Sequence, residues 1–337
     1  MERRKLYLST LFILSLSLIV RLSAATAAEN LSKLRVGYPS QTGNRAPLWT
    51  AKEKGFFKKY GLDVDLLLIR SGTITTTTLL SGEIDLAANN PQGLLSAILQ
   101  GGDLVIVGSA GDSIPFKLLV HPSITKPEDL KGKKIAVTRP GALIDTIARS
   151  LLEKLGVKPD KDVVLISVGD LATQDAAFAS GSVEGTVETE DNILAGYPQL
   201  KYNVLGSAAD LGINFVGHLF AVRKSFAKEH HSKLVAFLSA YTEAMHYAKT
   251  RPEQTKEIMG KYLKTQDQRI LDINYKNYIL ENPHRLASPD RSDIEPVLEQ
   301  MYRRDPKLKK VDVGEITDGR FAAEVEASGL LKTLYGN

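Results

Sequence analysis

Apolar positions along the chain switch repeatedly between two periods. "KLRVGY" (33–38) is a run of strand formers, "PLWTAKEKGFFKKY" (47–60) has helical spacing and stops at Gly61, and "LDVDLLLI" (62–69) is strand again. "TITTTTLLSG" reads as a helix ending near Gly82 despite its β-branched threonines, because the strand "EIDLA" follows at once and periodicity outweighs propensity. The same alternation returns further on. "ALIDTIARSLLEKLG" (142–156) is a helix closed by Gly156, "DVVLISV" a strand, "LATQDAAFASG" a helix closed by Gly181, and "SVEGTVE" a strand. The junction "LLSGEIDLA" is echoed by "FASGSVEGT", and two such βαβ series predict an α/β chain of two similar lobes, each with a largely parallel sheet. From residue 224 the pattern turns helical, with segments near 224–250, 252–263, 266–280 and 289–303.

The N-terminus sets the compartment. Arg3, Arg4 and Lys5 precede an almost unbroken apolar run over residues 6–20 and the small-residue tract "SAATAA". The run is shorter than the roughly 20 residues of a membrane-spanning helix, so a cleaved export signal over residues 1–28 is expected rather than an anchor. The chain has 337 residues and no cysteine, which excludes a lipid-attachment cysteine and a disulfide framework. Its formal net charge is +4; residues 1–28 hold four basic residues and one acidic residue, so the mature chain carries a net charge near +1. Polyanion binding is not implied, and no nucleic-acid partner is expected. The mature chain is long enough for two domains by the ~150-residue prior, and with no Pro-rich linker between halves the domains are expected to be interleaved.

With "AKEKGFFKKYGLDVDLLLI", "LLSGEIDLAANN", "GGDLVIVGSA" and "ITKPEDLKGKKIAVTRPGALIDT" in this order after an export signal, the chain resembles the periplasmic solute-binding components of ABC importers. Within them it is similar to the nitrate/sulfonate/taurine group, which includes binders of thiamine-pyrimidine precursors. The resemblance covers roughly residues 34–226; the helical remainder is less specific. It implies the type II periplasmic-binding fold, two α/β lobes with a ligand cleft between them and crossing hinge segments. The crossings are expected near residues 111–116 and 213–220, giving a discontinuous first lobe of 34–112 plus 213–337 and a second lobe of 113–212. It further implies capture of a small polar or anionic solute by hinge closure, delivery to an inner-membrane permease with its ATPase, a monomeric state, and no cofactor.

Ligands of open α/β sheets bind beyond the carboxyl ends of the strands, which places loops 38–46, 70–73, 88–92, 138–145 and 188–192 at the cleft. "SGEIDLAANNPQGLL" runs a strand into two amides, Asn89 and Asn90, able to offer donor and acceptor together, although either could simply cap the helix that begins at Pro91. Arg70, Ser71 and Thr73 in "RSGT", and Thr138, Arg139 and Gly141 in "TRPGAL", suit an anion at a helix start; ordinary capping with a solvated arginine is the structural alternative. Tyr38 and Asn44 flank the first loop. In "VEGTVETEDNILAG" the family segment ending in tryptophan, glutamate and proline reads Thr189, Glu190 and Asp191, so only the glutamate is kept and the aromatic that would stack on a ligand is absent. Glu190 could face a cationic amine, as in a binder of a thiamine-pyrimidine precursor or another heterocycle. His218, near the second crossing, is a candidate contact or a core histidine, and Trp49 is expected in the core.

No HExxH or other metal-ligand spacing, GxSxG elbow, P-loop or dinucleotide fingerprint occurs. A pyrimidine synthase shares the fold but uses a cysteine-rich motif that this chain cannot supply. A ligand-sensing domain shares both fold and cleft. The expectation is a binding protein, not an enzyme.

Overall fold

The computed structural model describes residues 31–111, 114–211 and 216–336. The expected signal peptide, and residues 112–113 and 212–215 of the expected crossings, lie outside them.

The first sheet has the order β2-β1-β3-β10-β4. β1 (Ser32–Tyr38) pairs in parallel with β2 (Leu62–Leu68) on one side and β3 (Leu86–Asn89) on the other. β10 (Leu219–Arg223) lies antiparallel between β3 and β4 (Leu104–Ser109). The second sheet has the order β7-β6-β8-β5-β9. There β6 (Lys134–Val137) is parallel to β7 (Val164–Ser167) and β8 (Gly185–Glu188), and β5 (Lys117–Val120) lies antiparallel between β8 and β9 (Asn203–Ser207).

The antiparallel strands refine the largely parallel expectation, and their cause is topological. β4 ends at Ser109 in the first sheet and β5 starts at Lys117 in the second; β9 ends at Ser207 in the second and β10 starts at Leu219 in the first. A strand that enters a lobe directly from its neighbour must run away from the junction, against the strands whose carboxyl ends point toward it.

The helices match much of the sequence pattern, with departures: the segment expected near 224–250 is two helices separated at His230, and three short helices follow residue 312. The span 47–60 is broken at Gly55, which sits at φ 74, into α1 (Ala46–Glu53) and α2 (Phe56–Lys59). The span 266–280 is α11 (Gln268–Tyr275) continued by a π-helical turn, Lys276–Leu280. In the threonine-rich helix α3 (Gly72–Ser81) the hydroxyls of Thr75, Thr76, Thr77 and Thr78 donate to the carbonyls of Ser71, Gly72, Thr73 and Ile74, so each hydroxyl is satisfied within the helix. Gly82 then stops it at φ 83, where a Cβ would be strained. Between and after these lie α4 (Pro91–Leu99), α5 (Leu143–Lys154), α6 (Leu171–Ala179), α7 (Glu190–Gly196), α8 (Lys224–Glu229), α9 (His231–Thr250), α10 (Pro252–Leu263) and α12 (Arg291–Arg304), then three short helices, α13 (Val313–Ile316), α14 (Arg320–Ala327) and α15 (Leu330–Tyr335).

Each sheet is covered on both faces. Leu34, Val36, Phe220, Phe237 and Tyr241 form one layer of the first lobe's core, and Ile84, Leu94, Ile106 and Ile294 the other. In the second lobe Leu118, Ile135 and Val187 pack with Ile147 and Leu151 of α5, while Leu119 and Ala136 pack with Phe178 and Leu194 of α6 and α7. Trp49 is fully buried and stacks on Tyr262 at 4.7 Å.

Asn89 locks α3 to β3. Its amide nitrogen donates to Gly72 O (2.8 Å) and Thr76 Oγ1 (2.9 Å), and its oxygen accepts from the Asn90 N–H (2.8 Å). Asn89 has no exposed surface, and its removal deletes all three of these bonds, taking from the Asn90 N–H the oxygen that accepts from it. Asn89→Ala is expected to lower unfolding stability by about 2 kcal/mol, read from urea titration; an unchanged midpoint would show that the amide is dispensable to the fold.

Candidate functional site

The carboxyl ends of β1, β2 and β3 in one lobe and of β6 and β8 in the other carry the polar loops. In the loop after β1, Thr42 Oγ1 donates to Asn44 Oδ1 (2.6 Å), and Arg45 is almost fully buried. Gly43 is held against the C-terminal helices: a Cβ there would lie 2.2 Å from Asn274 Oδ1 and 2.7 Å from Tyr278 Cδ2. Tyr38 belongs to the core; burial raises its pKa, opposed in part by the nearby positive charges of Arg45 and Arg70. Arg70 is exposed and donates to Gln41 Oε1 (3.3 Å). Ser71 caps α3 by accepting from the Ile74 N–H, and Thr73 is exposed beside it. Of the two asparagines, Asn89 is consumed by the fold. Asn90 is exposed and makes no side-chain cap bond, which leaves its amide as the one a ligand can reach.

In the second lobe, Thr138 is half-buried and Arg139 is exposed, its Nε donating to Gly169 O (3.2 Å). The anion position expected at Gly141 is taken from within: its N–H donates to Asp145 Oδ2 (2.8 Å), a buried carboxylate also held by Arg149. Glu190 is not available to a cationic ligand in this arrangement. It is ion-paired with Lys117 and accepts from the Tyr202 hydroxyl (2.9 Å). Lys117 also reaches Asn277 Oδ1 at 3.5 Å. Asp191 is buried and accepts from the Tyr278 hydroxyl at 3.1 and 3.2 Å. His218 is fully buried, edge-on to Phe220 at 5.3 Å.

Two cavities lie where the lobes meet. One of about 330 Å³ is walled by Gln41 and Thr42, by Asp191 and Asn192 of α7, and by Ile270 and Asn274 of α11. The other, about 150 Å³, touches Gly111, Pro115, Ser207, Val216, Asn277 and His284. The first is lined from loops 38–46 and 188–192, but through neighbours of the residues singled out from sequence. Lys117, Asn274, Asn277 and Tyr278 were missed. Asn274, Asn277 and Tyr278 stand at i, i+3 and i+4 in "NYKNYI", the spacing of one helical face, and that was the available signal. Among the described residues no group of three or more His, Cys, Asp or Glu side chains could hold a metal ion, and no helix is long and apolar enough to cross a membrane.

Residues 42–255 match the family model described as NMT1/THI5 like, and the chain belongs to that family. It is 34% identical to YtlA of Bacillus subtilis over 174 residues, covering 50% of this chain and 52% of YtlA, so that match spans about half of the relative. It is 28% identical over 255 residues to the nitrate/nitrite binding protein NrtA of a Nostoc species, covering 67% of this chain and 56% of NrtA. The periplasmic aliphatic sulphonate binding protein SsuA from Escherichia coli superposes with a TM-score of 0.64 at 21% identity, covering 84% of this chain and 91% of SsuA. The fold is that of periplasmic binding proteins.

Glu188 closes the second lobe's wall from behind. Its side chain is 1% exposed; Oε1 accepts from the Thr189 N–H and Asn192 Nδ2, while Oε2 has no hydrogen-bond partner. Burial pushes its pKa up to about 7, and that of neighbouring Asp175 up to about 6. A glutamate ordinarily ionises near 4.5, so between there and about 7 the folded state binds the extra proton. Stability therefore falls as pH rises through that window and levels off above it. Glu188→Gln is expected to flatten this fall and to raise stability above pH 7 by at most about 3 kcal/mol. Urea titrations of both proteins at pH 5 and pH 8 check it; equal pH dependence would show that Glu188 is ionised throughout.

Proposed function

We propose that this chain is the solute-binding component of an ABC import system, acting in the periplasm and handing a small anionic solute to a membrane permease with its ATPase. The observation that carries the anionic reading is the distribution of charge at the strand ends: Arg70 after β2 in one lobe and Arg139 after β6 in the other are exposed, whereas Glu190 is engaged by Lys117 and Tyr202. Family membership and the names of its relatives, NrtA for nitrate and SsuA for aliphatic sulphonates, support this solute class. The role is capture, not catalysis: solute bridging the lobes favours the closed population, and opening at the permease releases it. Asn90, Ser71, Thr73 and Thr138 supply neutral donors, and a dry interface makes an anion's unpaired charge costly enough that such donors decide affinity. A cation or amine-bearing heterocycle would need Glu190 to leave Lys117.

A thermal-shift screen over nitrate, bicarbonate, short alkanesulfonates, taurine and aminopyrimidines tests the class, since a ligand at one hundred times its Kd stabilises by about 2.7 kcal/mol. For the anion that scores, Arg70→Ala and Arg139→Ala should each weaken binding by about 2 kcal/mol in calorimetry, in the range of charge-assisted hydrogen bonds. Glu190→Gln should bind nearly as the parent. An aminopyrimidine hit lost in Glu190→Gln and kept in both arginine variants would overturn the anionic reading.

A further inference from the structure

α11 and the π-helical turn that continues it have two working faces. Leu271, Tyr275 and Ile279 pack with Ala46, Trp49 and Met259 of the first lobe, and the Tyr275 hydroxyl donates to Ala248 O (3.0 Å). Positions 270, 273, 277 and 278 point the other way. Ile270 and Ile273 pack against the second-lobe cluster of Phe178, Ile193 and Leu194. Beside them, the Tyr278 hydroxyl donates to buried Asp191 and Lys117 Nζ donates to Asn277 Oδ1. Further along, Arg269 donates to Pro198 O (3.3 Å) and lies 5.8 Å over the Tyr202 ring.

Neither crossing supplies these contacts. One helix, anchored by its own core residues in the first lobe, presents an apolar strip flanked by polar partners to the second. Turning the lobes apart must strip Ile270 and Ile273 from their cluster and take Asp191 away from the Tyr278 hydroxyl.

We propose that the seam between α11 and α7 is a built-in latch that sets the open–closed balance of the two lobes, with Tyr278, Ile270 and Ile273 as its lobe-1 side and Asp191 and Leu194 as its lobe-2 side. Closure then draws on protein–protein contacts as well as on solute, and the solute supplies only the remainder. This goes beyond the import reading and is independent of which solute is bound.

The chain contains no cysteine, so cysteines introduced at exposed Lys58 and Lys154, one in each lobe, can be spin-labelled without background. Pulsed dipolar spectroscopy on the full chain without added solute reads the distance distribution directly. Tyr278→Phe removes one hydroxyl and should raise the open-to-closed ratio about fivefold, the factor that one ordinary buried hydrogen bond supplies. Combining it with Ile273→Ala should move most molecules to the longer distance, with far-UV circular dichroism unchanged. Identical distributions in the parent, in Tyr278→Phe and in the double variant would overturn the latch. Should the double variant unfold, Tyr278→Phe alone decides: a longer-distance population supports the latch and an unaltered distribution refutes it.

Discussion

The chain leaves one sheet and enters the other at the junction between them, and that constraint shapes most of the molecule. Strands that feed helices bring their carboxyl ends to the junction, whereas β5 and β10, each the first strand after a change of lobe, must run the other way. Each therefore wedges antiparallel into the fourth position of its sheet. Strand ends expose carbonyls and helix starts expose N–H groups, so both lobes concentrate unsatisfied polarity on the surfaces that face each other.

Much of that polarity is consumed by the protein itself. Asn89 spends its amide on α3, Asp145 fills the helix start at Gly141, and Lys117 neutralises Glu190. What is left for a solute is therefore narrower than the density of polar residues suggests: exposed arginines, the Asn90 amide and a few hydroxyls. An acidic residue or an amide at a strand end is as effective at fixing a loop as at holding a ligand, and only its partners tell the two apart.

The fold was legible because it is written in periodicity. The threonine helix was read against its propensity, and packing of its buried face, with Leu79 against Ile84 and Leu94, outweighs that propensity. The break at Gly55 was not legible, since apolar spacing continues across a single left-handed residue. The site was legible only as loops. Asn89 and Asn90 are adjacent and chemically identical, yet one is sealed and the other exposed, because pleating sends neighbouring side chains to opposite sides of a strand end. Lys117, Asn277 and Tyr278 could not be tied to Glu190 and Asp191 from sequence, because Lys117 reaches Glu190 over 73 residues within the second lobe, and Tyr278 reaches Asp191 over 87 and Lys117 reaches Asn277 over 160 between the lobes.

Charge on the second lobe's wall gives the seam a further consequence. Glu188, Glu190 and Asp191 succeed one another along one strand end and helix start, and two of the three side chains are almost wholly buried. An anion approaching that wall is repelled unless the acids are neutralised. Lys117 answers Glu190 and burial keeps a proton on Glu188 near neutrality, while Asp191 is met by Tyr278 from the opposite lobe. In this arrangement the hydroxyl that donates to Asp191 comes from the first lobe, across the seam. Burial raises the pKa of Asp191, while the Tyr278 bond, made to the carboxylate, works against that rise; the wall is thus made compatible with an anion by burial and by Lys117 rather than by Tyr278.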